Sequence, residues 1–203
     1  MSDITARFCD KKALRRQARA VRRTLDREAL GAALIARLAA MTCVQSAPSL
    51  LLFCATSDEI DLWPLTTRVP QAALYLPRMD GADEALTFHR YEPETPLIEN
   101  AYGIREPSAQ APPYVPRPGD ALIAPALMVD ARGHRLGYGK ACYDRFLAGS
   151  LAAGLTAIAA IPEALFCERL PVALAPWDYP VDWIVTEART QRRELLTPLD
   201  ARR

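Results

Sequence analysis

Histidine is nearly missing from this chain of 203 residues: only His89 and His134 occur. So small a number argues against a His-rich metal site. Cysteines are five, Cys9, Cys43, Cys54, Cys142 and Cys167, an odd number with no C-x-x-C pair. That argues against a disulfide framework and against a zinc ribbon. No apolar run approaches the roughly 20 residues of a membrane span. The first twelve residues carry charges and no apolar stretch, so no signal peptide is expected and the cytoplasm is the expected location. A net charge of +1 gives no mandate for nucleic acid or a membrane surface. Internal repeats, low-complexity tracts and linkers are also missing. One domain over residues 1–203 is expected, with residues 1–9 and 189–203 as peripheral tails and the second tail partly helical.

What is present suits a soluble globular protein. Hydrophobic residues make up 50% and charged residues 24%, enough apolar material for a core. Residues 10–25 read as an amphipathic helix with Leu14, Ala18, Val21 and Leu25 on one stripe. Six cations, Lys12, Arg15, Arg16, Arg19, Arg22 and Arg23, occupy the rest. They are either a solvated face or a source of phosphate contacts. No aromatic residues interleave with them, which disfavours nucleic-acid binding. A second helix follows Asp26 as N-cap. Short apolar runs at 49–54, 72–76, 121–123, 156–161 and 181–185 read as strands, and 86–91 alternates as a further one. The turn at Thr56-Ser57-Asp58 predicts a helix through residue 68. The proline-rich residues 92–119 read as a long surface excursion. Strands alternating with helices predict an α/β fold: a central, mainly parallel sheet flanked by helices, with its ligand cleft at the carboxyl ends of the strands.

The densest chemistry lies in Arg135-Leu136-Gly137-Tyr138-Gly139-Lys140-Ala141-Cys142-Tyr143-Asp144-Arg145. Glycines let backbone approach a ligand, cations suit phosphate, and a carboxylate suits a hard metal ion. Known phosphate-loop templates do not fit. A Walker A loop would need glycine at His134 and a hydroxyl at Ala141, and a dinucleotide fingerprint would need glycine or alanine at Cys142. The residues alone leave two readings open: an anion-binding glycine loop, or a glycine turn before a helix running from about 140 to 153.

The order of motifs resembles the 5-formyltetrahydrofolate cyclo-ligase (methenyltetrahydrofolate synthetase) family from about residue 11 to 187. Lys11-Lys12-Ala13-Leu14-Arg15 matches its basic K-x-x-x-R helix, and Glu59-Ile60-Asp61 its acidic element after the first strand. Leu76-Pro77-Arg78 matches L-P-R, and Gly103-Ile104-Arg105-Glu106-Pro107 matches G-I-x-E-P. Residues 135–145 match R-L-G-Y-G-x-G-Y-Y-D-R, and residues 178–187 match the closing D-x-x-[VL]-D-x-[IV]-[VIL]-T-E. The departures are Ala141 for the second loop glycine, Cys142 for a tyrosine, Trp177 for histidine and Leu62 for threonine.

The resemblance implies a ligase that uses ATP and Mg²⁺ to close 5-formyltetrahydrofolate to 5,10-methenyltetrahydrofolate, releasing ADP and phosphate. It implies ATP contacts at Lys11, Lys12, Arg15 and the run Arg135, Leu136, Gly137, Tyr138, Gly139, Lys140, Ala141, Cys142 and Tyr143. Lys140, Tyr143 and Arg145 are the implied catalytic residues. Thr56, Glu59, Asp61 and Tyr138 are the implied folate contacts, and Asp144 and Asp178 the implied Mg²⁺ carboxylates. Partners are then the reduced folate and ATP alone, for a monomer that binds neither nucleic acid nor membrane. The competing reading is a catalytically weakened folate- or ATP-binding paralogue of the same fold. A Cys142 nucleophile is disfavoured, because His134 is the only histidine near it in sequence.

Overall fold

The computed structural model describes residues 10–80 and 85–195. The chain opens with helix α1 (Lys11–Arg23), started by Asp10, whose carboxylate accepts from the N–H groups of Lys12 and Ala13. Helix α2 (Arg27–Ala40) begins with Asp26 accepting from Ala29 N–H, and a short α3 (Thr42–Gln45) leads into strand β1 (Ser49–Leu51). Then come α4 (Leu65–Arg68), β2 (Ala73–Asp80), β3 (Ala85–Arg90), β4 (Leu97–Glu99), β5 (Arg105–Pro107), β6 (Ala121–Ala124), β7 (Met128–Asp130) and β8 (Arg135–Leu136). Helix α5 (Cys142–Ala148) follows, then β9 (Thr156–Ala160), β10 (Phe166–Cys167), β11 (Trp183–Val185) and β12 (Thr190–Arg192).

Seven strands form one sheet in the order β12-β11-β9-β6-β1-β2-β3. The five inner strands run parallel, and β3 and β12 pair antiparallel at the two edges. The inner strands read as continuous apolar runs because both faces are covered. Leu51, Leu122, Ala157 and Ile184 point to one face, where they meet Leu14 and Ala18 of α1 and Phe146 and Leu147 of α5. Leu50, Leu52, Ala121, Ile123, Ile158 and Val185 point to the other, against Leu34, Ile35 and Leu38 of α2. From β1 the chain moves outward to β2, whereas β6, β9 and β11 proceed the opposite way. The strand order therefore reverses between β1 and β6, where open α/β sheets form their ligand crevice.

The fold bears out the α/β reading and corrects it in detail. The helix expected from Asp58 to residue 68 shrinks to Leu65–Arg68. The carboxylate of Glu59 bonds back to Thr56, that of Asp61 bonds to Trp63 N–H, and Pro64 interrupts the segment, so the polar groups stabilise a turn. Strand β2 does not stop at Pro77. It runs on to Asp80 because β1 pairs with it only as far as Tyr75, and no partner on that side needs a donor from residue 77. The segment 92–119 is no plain surface loop. It folds a β4–β5 hairpin and buries Glu106, Ala111 and Tyr114. The expected helical tail begins instead as β12, and residues 196–203 lie outside the described part. The expected 1–9 tail lies outside it too. Among the described residues no helix is long and apolar enough to cross a membrane.

Candidate active site

Three segments converge at the reversal point: the turn leaving β1, the stretch after β6 that ends in the glycine loop, and helix α1. They enclose a cavity of about 460 Å³, lined among others by Thr56, Glu59, Pro125, Tyr138, Lys140 and Tyr143. Its far wall is apolar, from Phe53, Pro77, Met79 and Leu86, and is completed by Asn100, Tyr102 and Glu106 from the β4–β5 hairpin. A wider trough of about 1490 Å³ shares Cys54, Thr56, Ser57, Glu59 and Tyr102 with it and runs along α2 past Asp61, Trp63 and Arg105.

The glycine loop is held from outside by α1. Arg15 Nε donates to the Gly137 carbonyl at 2.8 Å. The Arg19 guanidinium lies over the Tyr138 ring, 5.5 Å from its centroid. Arg22 Nη1 donates to the Tyr138 hydroxyl at 2.9 Å. These three arginines stand at i, i+4 and i+7, one stripe of the helix. The cations of α1 are thus divided: one stripe grips the loop, while Lys12 and Arg16 stay exposed. The predicted inward position Val21 is exposed and Arg22 is buried in its place.

Gly139 has φ 113°, and a side chain there would meet Arg15 at 3.5 Å. Ala141 has φ 53° and ψ 22°, the left-handed region, and it caps α5. It is the one non-glycine residue at positive φ among those described. The loop geometry therefore asks for glycine where this chain carries alanine, at about 1 kcal/mol.

Behind the loop lies a set of ion pairs. Arg135, its side chain 3% exposed, donates Nη2 to Asp144 Oδ1 at 2.8 Å. Burial pulls the Arg135 pKa down and the Asp144 charge opposes that pull. Tyr179 N–H donates to the same Asp144 oxygen. Lys11 Nζ pairs with Asp178 Oδ2 at 2.8 Å, and Ala175 N–H donates to that oxygen as well. Each aspartate thus accepts through one oxygen, and the second carries no hydrogen bond among the described residues. Asp144 lines the cavity, so its spare oxygen fits a Mg²⁺ that also takes phosphate oxygens. Asp178 does not line it and is engaged by Lys11. The donor set suits a cation held chiefly by substrate phosphates, and no cluster of three ligands occurs among the described residues.

The other expected residues fall as follows. Glu59 lines both spaces, its Oε2 accepting from Thr56 N–H at 2.8 Å and Thr56 Oγ1 at 2.9 Å. Asp61 lines only the trough, with Oδ1 on Trp63 N–H. Burial and the Glu59 charge push the pKa of Tyr138 and of Tyr143 up, so both phenols keep their protons. Lys140 Nζ lies 3.5 Å from the centroid of the Tyr102 ring. Leu136 is buried in the core, leaving only its backbone for a ligand. Arg145 does not line the cavity. Its Nη1 donates to the Lys140 carbonyl at 2.8 Å and its Nη2 lies 3.7 Å from Cys142 Sγ. Cys142 lines the cavity with no histidine among the residues around it.

Sequence reading missed Arg19, Arg22 and Glu106. The 15-19-22 spacing was the available signal for the first two. Glu106 is 5% exposed, accepts from Arg78 Nη1, Met79 N–H and Asn100 Nδ2, and so anchors the hairpin over the cavity. The L-P-R and G-I-x-E-P motifs meet in this contact.

Known proteins resemble this chain both in sequence and in fold. A sequence model of the 5-formyltetrahydrofolate cyclo-ligase family matches residues 7–187. The chain is 29% identical to the 5-formyltetrahydrofolate cyclo-ligase of Escherichia coli (strain K12) over 150 residues, 72% of this chain and 81% of that protein. It is 33% identical to the enzyme of the same description from Mycolicibacterium smegmatis over 113 residues, covering 54% and 55% of the two chains. The NMR structure of Aquifex aeolicus 5,10-methenyltetrahydrofolate synthetase superposes with a TM-score of 0.73 at 28% identity, over 93% of this chain and 97% of that one. A 5,10-methenyltetrahydrofolate synthetase from Mycoplasma pneumoniae shares the fold, with a TM-score of 0.68 at 20% identity over 88% and 99%. The chain therefore belongs to the 5-formyltetrahydrofolate cyclo-ligase family and, with it, to the ligases of folate one-carbon metabolism.

Proposed function

We propose that this chain closes 5-formyltetrahydrofolate to 5,10-methenyltetrahydrofolate with ATP and Mg²⁺, releasing ADP and phosphate. One observation carries the reading. Arg15 of the α1 stripe grips the very loop whose Lys140 faces a cavity that also holds the Glu59 carboxylate. Cations and loop amides suit a triphosphate, and a carboxylate beside an apolar wall suits a flat, donor-rich pterin.

A formamide oxygen is a poor leaving group, and phosphorylation makes it a good one. In the proposed course that oxygen attacks the γ-phosphorus and ADP departs. The neighbouring folate nitrogen then attacks the formyl carbon and loses its proton, while the carbon–oxygen bond breaks and phosphate carries the oxygen away. Such a course needs positioning and charge neutralisation rather than a protein nucleophile. Lys11, Arg15 and the amides of residues 137–143 would hold the phosphates, with Lys140 against the transferring group. Tyr143, kept protonated by burial, would donate a hydrogen bond there. Arg145 would act through the Lys140 carbonyl, and Lys12 through its charge alone. Thr56 and Glu59 would hold the pterin, with Asp61 further out along the trough. Asp144 would hold Mg²⁺, supported from behind by the Lys11–Asp178 pair, and bound Mg²⁺ would neutralise charge on the β- and γ-phosphates.

Cys43, Cys54, Cys142 and Cys167 are free, which suits a reducing compartment such as the cytoplasm. The test is isotopic. With ¹⁸O in the formyl group, the label is expected in the released phosphate. Label found in water instead would contradict phosphorylation of the formyl oxygen.

A further inference from the structure

Arg22 differs from the other cations of α1. It is 4% exposed, although no carboxylate pairs with it among the described residues. A buried guanidinium is unfavourable unless its donors are used. Nη1 donates to the Tyr138 hydroxyl at 2.9 Å, Nη2 donates to the Ala126 carbonyl, and Nε has no partner. Ala126 directly follows Pro125, which lines the cavity just past β6. One side chain therefore ties α1 both to the reversal point of the sheet and to the glycine loop.

We propose that Arg22 is a positioning residue. It holds Tyr138 at the cavity wall so that the tyrosine hydroxyl keeps its hydrogen for the folate, beside the Glu59 carboxylate. This rests on the reading of the cavity as the folate site. The direction follows from donor arithmetic. A guanidinium has donors only, so the Tyr138 oxygen must accept from it, and its single hydrogen is left for another acceptor. Tyr138 lines the same cavity as the Glu59 carboxylate. Glu59 accepts from Thr56 alone among the described residues, so the Tyr138 hydrogen stays available to a ligand. Arg19, over the ring face, holds the ring plane while Arg22 holds its tip.

The test uses Arg22→Gln, Arg22→Lys, Tyr138→Phe and the double variant Arg22→Gln/Tyr138→Phe. Two quantities are read: KM for each substrate in turnover, and Kd for 5-formyltetrahydrofolate without ATP by tryptophan fluorescence. Arg22→Gln is expected to raise the folate KM and Kd about tenfold and the ATP KM less than about twofold, as loss of one charge-assisted hydrogen bond predicts. Arg22→Lys is expected to recover most of the folate affinity. Arg22→Gln is expected to add little on top of Tyr138→Phe, since both remove one chain of contacts. Unchanged folate affinity, equal rises for both substrates, or additive effects in the double variant would overturn the proposal. A wild-type protein that bound the folate without turning it over would defeat the cyclo-ligase reading, and the binding series would still decide the role of Arg22. If Arg22→Gln does not fold, Arg22→Met, which buries no unpaired polar group, takes its place in the same cycle with Tyr138→Phe.

Discussion

Ala141 occupies the left-handed region with φ 53°, a conformation that glycine adopts without strain. Ala141→Gly relieves that strain and adds some freedom to the unfolded chain. A net stabilisation of about 0.5–1 kcal/mol is therefore expected in denaturant unfolding, with activity kept or raised. A clear loss of activity would mean that the loop has adapted to its alanine. Asp144 also needs more care than its sequence suggests. It partners an Arg135 side chain that is 3% exposed, so Asp144→Ala would leave a buried cation unpaired, at about 3 kcal/mol or more. Asp144→Asn keeps the shape and a hydrogen-bonding oxygen, and it removes the charge. It is expected to stay folded by circular dichroism and to lose at least about 100-fold in kcat. Near-normal kcat would remove Asp144 from the phosphate and metal chemistry.

At the scale of elements, α1 is the part that the sequence under-described. Its polar side read as solvated surface or as a source of phosphate contacts, and the structure adds a use that neither reading named: one stripe grips the glycine loop while Lys12 and Arg16 stay exposed. Periodicity showed that the helix exists, but not which neighbour its second stripe would meet. The helix predicted from Asp58 to residue 68 failed for a local reason: the Glu59 and Asp61 carboxylates bond to nearby backbone and set up a turn instead. The α1 contact to Asp178 gives a pH prediction. Burial raises the Asp178 pKa, but hydrogen bonds from Lys11 and Ala175 N–H outweigh it, and the net shift is downward. A depressed folded-state pKa contributes stability that is complete above the unfolded value near 3.9 and is lost as pH falls through the folded value. Lys11→Met is therefore expected to be less stable than wild type at pH 7, with the difference fading below about pH 3.9 in urea unfolding. A difference independent of pH would show that the pair contributes through packing alone.

Across the whole molecule, apolar runs at 49–54, 121–123, 156–161 and 181–185 sufficed to read a parallel sheet, because strands covered on both faces must be apolar throughout. Strand order could not be read from them. The same runs fit several orders, and the reversal between β1 and β6 is a property of connections that the runs do not encode. That reversal brings residues 56–59 beside residues 137–144, more than 75 positions later in the chain. The motifs named the participants, and the topology explains their meeting. The two-residue strands β8 and β10 and the β4–β5 hairpin were illegible, being too short to show a period. The central claim is that this crevice closes a formylated folate at the expense of ATP. Its most direct test is turnover by the purified protein with 5-formyltetrahydrofolate, ATP and Mg²⁺, followed by the near-ultraviolet absorbance of the methenyl product. The account predicts a rise that requires all three. A flat trace from folded protein that still binds the folate or ATP would contradict it and would mark a site that binds its ligands without joining them.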